Sequence, residues 1–207
     1  ELSHTQQGSY YNLTEDQLKQ LEEDGRIAYL IRVKTGIPSG MDGFDVIPFY
    51  VNELSDQIRT GGLESGRMPE TGQEIAVPAA LPGKMGISPQ VGSEVTFTFY
   101  DGTTETFTVT GILKGSDTAK QFPVYVSEEY AREGSQLKDV AYEAHARVCD
   151  AEAMSADECR ELMYQIGADA GIERKNVNPS RTFLDTLSGD LQSVTLYGLV
   201  GVVILLA

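Results

Sequence analysis

Gly66-Arg67-Met68-Pro69-Glu70 is followed by Glu74-Ile75-Ala76-Val77, then by Leu81, Met85-Gly86 and Val91-Gly92-Ser93-Glu94-Val95, and finally by Phe107-Thr108-Val109-Thr110-Gly111-Ile112. Pro69 fixes φ just ahead of a strand. Gly66 and Gly92 permit turn conformations that other residues avoid. From Glu94 to Tyr100 apolar and polar residues alternate, which puts Val95, Phe97 and Phe99 on one face. Thr104 to Val109 alternates again, with Phe107 and Val109 together. Between these runs lies Asp101-Gly102, a turn pair favoured in tight hairpins. The spacing therefore predicts a β-hairpin over 94–109. Ile75, Val77, Val95, Phe97, Phe107 and Val109 are its candidate core. Pro123–Val126 reads as a further short strand, and the frequent Gly and Pro from Gly61 to Gly92 mark turns. The middle of the chain is mostly β.

Outward from this region the pattern changes period. Thr14 with Gln17 three residues on forms a capping box, followed by a stripe of Leu18 and Leu21 that stops by Gly25. Ile27–Val33 then reads as a buried strand. The same design recurs late. Val140–Val148 looks like a strand, and Ser155 with Glu158 makes a second capping box. Cys159, Leu162, Met163 and Ile166 fall on one helical face. Gly171 and Ile172 lead towards another strand through Val177. The expected fold class is α+β. An α/β subdomain is built from both chain ends, 1–52 and 138–192, around a β-rich insert over 53–137. Val194–Ala207 carries no charge and reads as the start of a transmembrane helix, with Tyr197 suited to a membrane interface. A buried terminal helix or strand is the plainer alternative.

A formal net charge of −15 argues against nucleic acid as a partner, and against a basic patch on anionic lipid. Acidity can steer a cationic ligand, or simply keep a domain soluble. Chemistry is sparse. His145 sits in a predicted strand and His4 near the start, and no Gly-x-Ser-x-Gly elbow accompanies them. Glu22-Glu23-Asp24 reads as a solvated helix face. There is no calcium-loop pattern and no phosphate loop, so any ATPase belongs to another polypeptide or another region. Cys149 and Cys159 lack the spacing of a zinc site, and spacing alone leaves open whether they bridge. No catalytic, cofactor-binding or metal residues are expected.

The residues quoted at the outset resemble the extracytoplasmic core domain of MacB/FtsX-type ABC transporter permeases. In that family a Gly-Arg-x-Pro turn precedes Glu-Ile-x-Val, a Gly-Asp-x-Val turn opens a hairpin, and Val-x-Gly-Ile closes it. The matching positions here are Gly66, Arg67, Pro69, Glu74, Ile75, Val77, Gly92, Val95, Gly111 and Ile112, with Ser93 where the family often has Asp. The likeness covers about a quarter of the chain, and the motif specifies fold rather than a reactive site. It implies a porter-like subdomain from the chain ends and a Sabre-like β insert. It further implies an extracytoplasmic domain in the cell membrane, between the first two helices of a multi-pass permease. That permease would dimerise and partner a cytoplasmic ABC ATPase, acting on a peptide, antibiotic or lipoprotein. Two alternatives remain open. One is a signalling or scaffold domain that recruits a cell-wall hydrolase or senses a peptide. The other is a membrane-anchored binding module without an ATPase.

Overall fold

The computed structural model describes residues 7–41, 44–52, 63–81, 90–114 and 121–179. His4, Met85-Gly86 and the expected membrane-helix start at Val194–Ala207 lie outside these residues. In chain order the elements are β1 (Gly8–Leu13), α1 (Glu15–Glu23), β2 (Ile27–Thr35), β3 (Ser39–Met41), β4 (Phe44–Val51), β5 (Leu63–Gly66), β6 (Glu74–Pro78), β7 (Glu94–Thr98), β8 (Thr104–Leu113), β9 (Gln121–Val126), α2 (Glu128–Glu133), β10 (Tyr142–Val148), α3 (Ala156–Asp169) and β11 (Val177–Pro179). The fold is α+β, dominated by strands. Among the described residues no helix is long and apolar enough to cross a membrane.

The chain divides into two compact units, one comprising Glu1–Leu30 with Ala144–Ala207 and the other Ile31–Glu143. The cuts fall inside β2 and β10. Residues 31–52 and 138–143 therefore group with the middle of the chain, where the sequence reading had joined them to the ends.

In the first unit both capping boxes form. Thr14 Oγ1 accepts from the Gln17 amide at 3.2 Å, and Gln17 Oε1 accepts from the Thr14 amide at 3.1 Å. Ser155 and Glu158 repeat the exchange at the head of α3. Each side chain satisfies an amide that the first helical turn cannot. Leu18 and Leu21 of α1 and Met163 and Ile166 of α3 are buried, as their spacing requires. β1 lies between β11 and β10. Its Tyr10 is fully buried, and the phenol donates to the Met163 carbonyl of α3 at 3.1 Å. Two expectations change here. The segment before the first helix cap forms β1. The late strand starts at Val177 rather than ending there, because Arg174–Asn176 winds into a 3₁₀ turn.

In the second unit the strand order is β2-β4-β9-β6-β8-β5, with β3 on β4 and β7 on β8. The hairpin pairs Val95 with Phe107 and Phe97 with Glu105, and Val95, Phe97 and Phe107 are each at most 3% exposed. Its outer face is threonine paired with threonine, with Thr96 and Thr98 hydroxyls 2.9 and 3.1 Å from those of Thr106 and Thr104. β8 runs on to Leu113 because its second half pairs with β5 and, in parallel, with β6. β10 starts at Tyr142, two residues later than its sequence suggests, since the Val140 amide turns back to the Leu137 carbonyl at 3.0 Å.

Candidate functional site

The ten motif residues all lie in the second unit and gather along β8. Gly66 ends β5 with φ of 79°. A side chain there would collide with the Thr110 carbonyl oxygen of β8, and a Cβ on Gly111 would stand 2.5 Å from the Arg67 carbonyl oxygen. The two glycines therefore let the β5 turn press against β8, and the Arg67 amide donates to Thr110 at 2.8 Å. Arg67 then grips Glu74 with both ends of its guanidinium, at 2.5 and 2.9 Å, and Nη1 also donates to the Met68 carbonyl. Such a two-pronged pair fixes direction as well as distance. Glu74 Oε2 accepts two further amides, Glu70 at 2.8 Å and Thr71 at 3.2 Å. The Arg67 guanidinium, then the Glu70 amide, hold the Glu74 carboxyl down to about 2. Pro69, half-buried, lies inside the turn so closed. The Gly72 amide donates to Glu129 Oε2 of α2 at 2.7 Å, which ties the turn to the helix.

Beyond Glu74, Ile75 pairs with Val109 and Val77 with Ile112, and these residues are at most 4% exposed. The Gly92 amide, at a φ of 91°, donates to the Val109 carbonyl and sets the start of β7, placing Val95 in the core. The motif is thus a clamp that joins β5, β6, β7 and β8. Its Arg67–Glu74 ion pair is spent inside its own turn.

Other chemically capable side chains are placed as follows. Ser9 Oγ and His145 Nδ1 share a hydrogen bond of 2.6 Å between neighbouring strands, but Ser9 and His145 are only 8% and 6% exposed. Cys149 and Cys159 are half-buried thiols, not joined in a disulfide, that point to the carbonyls of Gly25 and Ala151. Among the described residues no three His, Cys, Asp or Glu side chains gather as a metal site. A surface depression of about 240 Å³ in the first unit is lined by Gln20, Glu23, Asp24, Asp169 and Ala170. Arg26 bridges its two aspartates, at 2.6 Å to Asp24 and 2.7 Å to Asp169, and its hydrogen bond draws the Asp24 carboxyl below the usual range.

Two features of the second unit escaped the sequence reading. Lys34, 3% exposed, donates to the Ala131 and Leu137 carbonyls at 2.8 and 3.1 Å and lies 4.3 Å from the centre of the Tyr142 ring. It satisfies the Ala131 carbonyl, left open as α2 ends, and adds a second donor to the Leu137 carbonyl in the turn beyond. Glu105, on β8, accepts from the Tyr130 phenol at 2.6 Å and from Ser135 Oγ at 2.5 Å. No local spacing signals either arrangement, since each depends on α2, which the sequence did not announce.

No family model matches the sequence, and no characterised protein matches it at the sequence level. Solved structures do match. The extracellular domain of the ABC-type transporter YknZ from Gram-positive bacteria superposes with a TM-score of 0.56 at 12% identity, over 86% of this chain and 100% of that one. The periplasmic region of MacB from Actinobacillus actinomycetemcomitans gives 0.53 at 14% identity, over 92% and 93%. The chain has the fold of extracytoplasmic permease domains. In this permease-domain fold the clamp around β8 is what the quoted motif encodes, which explains why a motif without reactive groups pointed to the right architecture.

Proposed function

We propose that the chain is the extracytoplasmic domain of an ABC transporter permease subunit. It passes changes driven by ATP hydrolysis in a cytoplasmic partner to a peptide, antibiotic or lipoprotein outside the membrane. One observation carries this reading. The permease-domain fold spans most of the chain, and its first and last described strands lie side by side, with Gly8 paired to Pro179. This pairing suits a domain inserted between two membrane helices. The apolar run at Val194–Ala207 supplies a candidate for the second of those helices. Catalysis is assigned to another subunit, in keeping with the buried Ser9–His145 pair and a motif consumed by its own turn.

The test is to purify the full-length membrane protein from its native host and identify what accompanies it. The expected result is a dimeric permease with a stoichiometric ATP-binding subunit. A chain that purifies alone, with one membrane span, overturns the reading in favour of a tethered binding module.

A further inference from the structure

β1 begins at Gly8 and β11 ends at Pro179, and their register is Gly8↔Pro179, Ser9↔Asn178 and Tyr10↔Val177. Among the described strands β11, of three residues, lies at the edge of the sheet, beside β1. The pair is antiparallel, so Gly8 and Pro179, the residues nearest the two chain ends, lie at the same end of it. Drawing those ends apart therefore loads the pairs one after another, starting from Pro179, instead of all together. Pro179 also has no N–H to add to the ladder.

The inner end is much more firmly held. Val177 is 6% exposed and packs where a Cβ on Gly167 would come within 2.8 Å of it. Tyr10 is fully buried and bonded to the Met163 carbonyl. Asn12 donates to Asn176 at 3.2 Å, and the Arg174 guanidinium stacks 3.6 Å over the Tyr164 ring. The outer end closes only because Gly8 lacks a side chain. A Cβ there would stand 2.5 Å from the Asn178 carbonyl oxygen and 2.7 Å from Met163 Sδ.

We infer that β11 is a latch. Pro179 and Asn178 peel from β1 when the two ends of the chain are drawn apart, and close again when these come together, with Val177 as the hinge. Local openings of this kind draw on the least stable part of a fold. The source of tension rests on the permease reading, in which membrane helices hold both ends. The latch itself does not.

Force spectroscopy on the whole chain, with handles on its two ends, tests this. The wild type should show a reversible extension of about 0.7 nm, two residues at about 3.4 Å each, before the unit unfolds. Ser9→Cys with Asn178→Cys joins two directly opposed residues, a separation a disulfide can span. Oxidation should abolish the step and reductant should restore it. Gly8→Ala should move the step to lower force and speed hydrogen exchange of the Val177 and Asn178 amides by about tenfold or more, with β10 unchanged. The latch is overturned if the first event is loss of the whole unit, if the step survives the cross-link, or if Gly8→Ala speeds β10 equally. Failure of the permease reading would appear in the co-purification and would leave these outcomes untouched.

Discussion

Glu74 is held by one turn through the Arg67 guanidinium and the amides of Glu70 and Thr71. All of these favour the charged carboxylate, so its pKa falls from the ordinary 4.5 to about 2. A depressed pKa adds stability above the unfolded value and loses it as pH falls through the folded one. Glu74→Gln should therefore cost about 1 kcal/mol near pH 7, discounted because Arg67 is half-exposed to screening water. The deficit should shrink as pH drops from 4.5 towards 2. Urea midpoints of the two proteins across that range check it, and a deficit independent of pH would sink the account. The sequence displayed Gly66, Arg67, Pro69 and Glu74 and their spacing, but not the bond between Arg67 and Glu74. The two meet across a non-helical turn, where spacing along the chain does not say which side chains touch. Lys34 was hidden for a related reason. Its partners, the Ala131 and Leu137 carbonyls, come from α2 and the turn beyond, far along the chain.

At the level of elements, what was legible was what is local. Capping boxes at Thr14 and Ser155 and the alternation around Asp101-Gly102 each involve residues within a few positions of one another, and each appears as expected. β4 was not legible. It lies between β2 and β9, pairing antiparallel with one and parallel with the other, yet it carries Pro48 in its middle. A proline there argues against an inner strand. The loss is limited because the Pro48 carbonyl still accepts the Gly36 amide at 2.8 Å. Nor did the sequence show how the hairpin docks. Glu105 on β8 is bound by Tyr130 of α2 and by Ser135, and the Tyr130 ring meets Phe107 edge-on at 5.3 Å. Burial, then Glu105, raise the Tyr130 phenol above its usual range, so the neutral donor persists at all ordinary pH. Tyr130→Phe keeps the ring contact and removes only the donor. It should cost about 1.5–3 kcal/mol, a typical value for a hydrogen bond to a charged group. Denaturant unfolding measures this, and an unchanged midpoint would mean that the brace does not hold the hairpin.

For the whole molecule the balance of charge was legible from composition, and its physical consequence can be argued against the local ion pairs. With 31 acidic and 16 basic residues, long-range repulsion opposes compaction. Several ion pairs act the other way. Lys19–Glu23 at 3.8 Å and Lys175–Glu173 at 2.7 Å are mostly exposed and are worth at most a few tenths of a kcal/mol each. Arg67–Glu74 is better shielded on the Glu74 side and is weakened less by salt. Raising salt from about 10 mM to about 100 mM shortens the screening length from about 30 Å to about 10 Å. That removes most repulsion between distant carboxylates and only part of the close attractions. The thermal midpoint should therefore rise by about 2–4 °C, the shift that about 1 kcal/mol produces in a chain of this size. Calorimetry in sodium chloride reads this directly. A midpoint that falls with salt would mean that close pairs such as Arg67–Glu74 and Arg26–Asp24 outweigh the surplus of carboxylates.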